Sequence, residues 1–247
     1  MADRYIMRSL EPKVMRRLGL GLGLLLVLGF MAGTTRAWTP GPTIVRKCPK
    51  CSGIVLEMTS ASGNTIGARL WTDGNFWAPM LPERPVLAKC PHCKQVFWVK
   101  QMEQIGVLHL RDTTNQYPGA KLLDKPNEND YYALANSGTC GPEEEEYVRV
   151  QGFWASNDQY RFKDTTLVAQ RSPAARRNLE ALYKLLSESQ PGSRVLKAEI
   201  AREIGDFDSC LSLLNYQFEK EYLKTVSLIR TLAEKRDSIV AEVKLED

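Results

Sequence analysis

The sequence predicts an α+β fold: a small antiparallel β module followed by a mostly α-helical bundle. Three observations point there. Four cysteines form two C-x-x-C pairs, Cys48 with Cys51 and Cys90 with Cys93, separated by 38 residues of short apolar runs and turn dipeptides. Beyond residue 142, apolar residues recur at helical three- and four-residue spacing, and capping residues open the runs. The composition, 43% hydrophobic and 25% charged over 247 residues, is that of a globular chain and excludes disordered and collagen-like classes.

Residues 1–37 form a targeting segment. Five basic residues precede the apolar run Leu18–Gly33, and small or polar residues follow to Ala37. The run has 16 residues, whereas a helix spanning a bilayer needs about 20, so a cleaved signal sequence is favoured over an uncleaved anchor, which stays open. Positive charge ahead of the run keeps the N-terminus cytoplasmic and predicts export of the bulk of the chain, or its anchoring outside the cytoplasm. The net charge of +4 sits in this segment, which holds six basic and two acidic residues. The remainder is neutral, with +5 over residues 38–101 and −5 over residues 102–247. That asymmetry lets the two halves attract each other, and it gives little support to a nucleic-acid partner.

The β module spans residues 44–100. Two C-x-x-C turns bring four thiolates to one point, which is what a tetrahedral metal ion takes, so Cys48, Cys51, Cys90 and Cys93 are the candidate ligands. The flanks Lys47-Cys-Pro-Lys-Cys-Ser-Gly53 and Lys89-Cys-Pro-His-Cys-Lys94 resemble the paired knuckles of zinc-ribbon and rubredoxin-like modules. The resemblance implies Zn2+ as the cofactor, with iron not excluded, backbone N–H groups directed at the sulfurs, and short antiparallel strands joining the knuckles. Two disulfides, which an oxidising compartment permits, and a thiol oxidoreductase are the competing uses of the same cysteines. Between the knuckles, Ile54–Met58 and Ala68–Thr72 read as strands, and Gly63-Asn64 and Asp73-Gly74 as turns. Pro79, Pro82 and Pro85 mark an irregular loop, and Val96–Val99 a closing strand. Trp71, Phe76 and Trp77 are expected to fill a core too small to stand without metal. His92 is expected on the turn surface and His109 in a strand; Cys140 and Cys210 lack a partner pattern.

Residues 101–142, with turns at Tyr117-Pro-Gly119 and Lys125–Asp130, read as a linker with little secondary structure. The helical domain follows over residues 143–247. Pro142 and four glutamates open a helix with Tyr147, Val150 and Trp154 on one face. Ser172-Pro173 caps the next, which buries Leu179, Leu182, Tyr183 and Leu186. Ala198, Ala201, Gly205-Asp-Phe207, Cys210, Leu213 and Leu214 then resemble one tetratricopeptide-repeat helix pair, over about residues 193–220. A last helix is expected from Phe218 to about Val243.

The chain has two histidines and no H-E-x-x-H, G-x-S-x-G or Walker loop. A four-thiolate zinc also lacks the open position that water activation needs. The expectation is an exported or membrane-anchored, non-catalytic zinc protein of scaffold type. Its helical half meets a protein partner, the membrane is met through residues 1–37 if they are retained, and no small-molecule substrate is implied. A C-x-x-C redox enzyme is the alternative, and a nucleic-acid-binding ribbon the second.

Overall fold

The computed structural model describes residues 38–112, 116–161 and 171–244. The targeting segment lies outside them, as do the three C-terminal residues. No helix among the described residues is long and apolar enough to cross a membrane.

The predicted α+β class is observed, in small, mainly antiparallel sheets and, among the described residues, six α-helices. Strands β1 (Thr39–Pro40), β2 (Thr43–Lys47), β3 (Ile54–Glu57) and β4 (Ser60–Ser62) come first. β2 and β3 form a hairpin whose tip is the first C-x-x-C turn, and β1 pairs with β4. Next come β5 (Arg69–Trp71) and β6 (Phe76–Trp77), joined through the expected Asp73-Gly74 turn. That turn needs Gly74 at φ +78°, and Asp73 Oδ1 accepts the Asn75 N–H at 3.1 Å. β7 (Leu87–Lys89) and β8 (Val96–Trp98) make the hairpin that carries the second C-x-x-C turn.

The expected linker instead contains β9 (Glu103–Leu108), β10 (Lys121–Leu122) and helix α1 (Glu128–Ala135). β9 pairs with β2, and β10 runs parallel to β3, giving a sheet of order β10-β3-β2-β9. The physical reason is that both edges of a two-stranded hairpin carry unpaired backbone groups, and the following chain supplies their partners. α1 starts with a reciprocal Asn127–Asp130 cap, another feature of that stretch read only as turn-forming polarity.

The helices α2 (Pro142–Arg161), α3 (Pro173–Leu185), α4 (Pro191–Glu203), α5 (Phe207–Leu213) and α6 (Leu223–Glu234) make up the helical half. Glutamates fill the first turn of α2, and Ser172 Oγ accepts the Ala175 N–H to cap α3. Leu179, Leu182 and Leu186 are buried with Val150 and Phe153, as the helical spacing requires. Gly205, at φ +90°, turns the chain between α4 and α5, so that Ala198, Ala201 and Cys210 meet in one core with Ile229 and Ala233. The last helix is shorter than expected. It stops at Glu234, Arg236 takes φ +55°, and the chain continues into β11 (Glu242–Val243), antiparallel to β5.

The two halves share a core. Leu87 and Trp98 from the second hairpin pack with Tyr131, Ala135 and Val148 of α1 and α2, and Trp98 stacks at 5.6 Å on Tyr147. Lys100–Glu144 and Lys89–Asp130 pair basic residues of the β module with acidic ones beyond it, in the sense the charge asymmetry predicts.

Candidate metal centre

The two knuckles have the same backbone. Cys48 N–H donates to Gly53 O at 3.0 Å and Ser52 N–H to Cys48 O at 3.0 Å. Correspondingly, Cys90 N–H donates to Gln95 O and Lys94 N–H to Cys90 O, both at 2.9 Å. In each turn the residue after the second cysteine is left-handed, Ser52 at φ +58° and Lys94 at φ +60°. That conformation costs a non-glycine residue about 1–2 kcal/mol, while a glycine loses about 0.5–1 kcal/mol more chain entropy. Lys94→Gly is therefore expected to raise stability by up to about 1 kcal/mol, because the exposed Lys94–Asp124 pair it removes is worth little. Thermal unfolding of the two proteins checks it.

All four sulfurs lie within 4.8 Å of one another. Two pairs run across the knuckles at 3.8 Å each, Cys48 Sγ to Cys93 Sγ and Cys51 Sγ to Cys90 Sγ. A regular tetrahedron with metal–sulfur bonds of about 2.3 Å has edges of about 3.8 Å, so the donor set fits one tetrahedral ion. A disulfide requires about 2.05 Å, and all six described cysteines are free thiols. Cys48 and Cys90 are buried with Val55 and Met102, while Cys51 is exposed. Burial pushes the Cys90 thiol up to about 12. No helix starts at either knuckle.

His92 does not join the ligands. Its Nε2 lies 2.9 Å from Ile54 O, so this exposed ring reaches from the second knuckle to the strand leaving the first. Gly53 makes room for it: a Cβ there would stand 2.6 Å from His92 Cδ2. Gly53→Ala is expected to push the imidazole off Ile54 O and loosen the register of the two knuckles. Competition with a chromogenic chelator should show metal affinity lowered about 10-fold, the low end of what loss of an outer-shell contact costs.

Of the other singled-out residues, Trp71 is buried, Phe76 is half-buried and Trp77 is 44% exposed, so only part of the aromatic cluster is core. His109 lies just past β9 and is exposed, its N–H donating to Asp112 Oδ2. Cys210 is buried in the helical core. Cys140 sits before α2 near Leu134 O.

Sequence reading missed a second cluster, buried between the β5–β6 turn and the helices. Asp73, Glu199 and Glu203 meet Arg161, Arg171 and Arg202 there, three carboxylates against three guanidinium groups. Arg161 pairs with Asp73 and Arg171 with Glu203, and Asn157 Nδ2 donates to Asp73 at 2.8 Å and to Glu203 at 3.1 Å. Arg202 pairs with Glu199 at 2.6 Å, and Trp154 Nε1 donates to Asp73 O at 2.9 Å. Burial drives Glu203 up to about 8 against the pull of Arg171. Burial opposes ionisation of Glu199 too, but there Arg202 prevails and holds the carboxyl below its usual range. The available signal was Glu199, Arg202 and Glu203 at helical spacing beside the apolar Leu196 and Ile200, charges on a face that should be dry.

Comparison of the chain with protein families, curated proteins and solved structures finds no match.

Proposed function

We propose that the chain is a membrane-anchored or exported, non-catalytic zinc protein in which the ion fixes the ribbon and the helical half receives a protein partner. The single observation that carries the metal reading is the sulfur geometry: two equivalent knuckles bring four sulfurs within 4.8 Å of one another, with two cross-knuckle pairs at tetrahedral edge length. Four thiolates fill the coordination sphere, so the ion's role is structural. Such an ion with four thiolates carries a formal charge of −2, and Lys47 and Lys50 beside the first knuckle offset it. Zinc is preferred to iron for its abundance in sites of this kind, and an S4 cage suits either. The tetratricopeptide-like pair supports the partner reading: α4 and α5 meet through small residues around a left-handed glycine. Anchoring or export rests on the apolar run 18–33 behind basic residues.

Intact-mass measurement with elemental analysis of protein recovered from membranes tests these points together. One zinc per chain is the expected result. Absence of any metal with Cys48–Cys51 and Cys90–Cys93 disulfides would overturn the reading, and the measured mass decides between anchoring, with residues 1–37 retained, and secretion, with them removed.

A further inference from the structure

The chain comes into the described fold at one end of the ribbon insert. Trp38 donates its indole N–H to Ser60 Oγ at 2.8 Å, and Thr39 lies opposite Ser62, so Trp38 stands beside Gly63. Gly63 in turn abuts Met80 O and Leu81, and Asn64 N–H donates to Met80 O at 3.1 Å. Pro79 lies against Gly67, and Trp77 is paired across the strands with Arg69. At this same end the apolar side chains face outward: Ile66 is 69% exposed, Trp77 44% and Leu81 40%. Several large apolar groups close together on a surface mark an interaction site more often than isolated ones do.

Sequence distance supplies the occupant. Gly33, the last residue of the apolar run, is five residues before Trp38, and five residues of fully extended chain reach at most about 18 Å. If residues 18–33 are held in a bilayer, the end of the insert beside Trp38 is confined to within that distance of its boundary. No other part of the described chain is so constrained by sequence. A tryptophan flanked by aliphatic side chains, with Arg69 opposite it across the strands, has the amphipathic make-up of a group that settles at the headgroup level.

We propose that the Ile66–Trp77–Leu81 tip rests in the interfacial layer of the membrane that holds residues 18–33, which orients the ribbon with its insert toward the lipid. The inference builds on the anchoring part of the proposed function. Its chemistry is partition of exposed apolar and aromatic side chains into the boundary between acyl chains and headgroups.

The test uses the full chain, checked by intact mass, in phosphatidylcholine vesicles whose acyl chains carry bromine near the glycerol. Flotation reports anchoring, and quenching of tryptophan emission by bromine reports contact of the tip. Wild type is compared with Trp77→Phe and with Ile66→Asp/Leu81→Asp. Exposed positions tolerate these changes, and unchanged thermal unfolding in detergent checks that they do. The expected result is that all three proteins float and that quenching is reduced, relative to wild type, in both Trp77→Phe and the aspartate variant. Flotation with identical quenching in wild type and Trp77→Phe would overturn the inference while leaving anchoring intact, and would point to a protein occupant for the tip. Failure to float would remove anchoring and the inference together.

Discussion

Stripping the metal from the intact protein is expected to unfold the ribbon cooperatively. Structural four-ligand zinc contributes about 10–16 kcal/mol of apparent binding free energy at neutral pH, as large as the whole stability of a typical domain, about 5–15 kcal/mol. The ribbon has few alternatives to it: beyond the sulfurs, the cluster at the knuckles consists of Val55, Met102 and the half-buried Phe97 and Leu123. A strong chelator should therefore abolish the fixed environment of Trp98, which sits on β8 beside the second knuckle and packs on Tyr147. Near-ultraviolet dichroism and tryptophan emission read that change. Cys90→Ser, at a fully buried candidate ligand, should give the same phenotype and less than one metal ion per chain, whereas Cys51→Ser, at the exposed candidate, should retain weaker binding. A chelated protein with an unfolding midpoint within a few degrees of the untreated one would show that the four thiols suffice without an ion.

Arg202→Met is expected to destabilise the protein by about 3–5 kcal/mol, because breaking a buried ion pair from one side strands a charge in the interior. Arg202 is fully buried between Glu199 and the Asp237 carbonyl, and Glu203 lies 4.0 Å away. The pH dependence has a defined sign. Glu199 is held below its usual range by Arg202, so the pairing stabilises the fold above the unfolded carboxyl pKa of about 4.3 and is lost as pH falls through the lower folded value. The gap between wild type and Arg202→Met should thus narrow in acid. Glu203 behaves oppositely. With its folded pKa raised to about 8, its contribution is complete below about 4.3 and declines as pH rises through 8, so Glu203→Gln should flatten the stability profile across that interval. Urea titrations at several pH values read both effects, and a cost of Arg202→Met below about 1 kcal/mol at neutral pH would show that Arg202 does not balance the buried Glu199 charge.

The knuckles and most helix starts were legible in the sequence because they rest on local rules. Two C-P-x-C turns, Ser172-Pro173, the Glu143–Glu145 run and Gly205 each fix their own backbone within a few residues. What the sequence concealed depends on distant partners. β9 and β10 exist because β2 and β3 offer open edges, and the short segment Glu242–Val243 is a strand only because β5 lies alongside. Asp73 looks like an ordinary turn residue, yet Arg161, 88 positions later, makes it the centre of a buried network. Helical periodicity places Glu199 and Arg202 correctly on α4 but cannot tell a solvated face from one packed on another charged surface.

The pairing of β11 with β5 also bears on how the polypeptide reaches its native state. Ala241 and Thr72, 169 positions apart, exchange hydrogen bonds, so the sheet containing β5 is completed from far along the chain. Closing so long a loop is entropically slow, so this contact is expected to form late in folding. The two cysteine knuckles lie much closer together in sequence and can meet sooner. Folding thus has a built-in order: the amino-terminal knuckles come together first, and the distant β11 segment latches onto β5 afterwards.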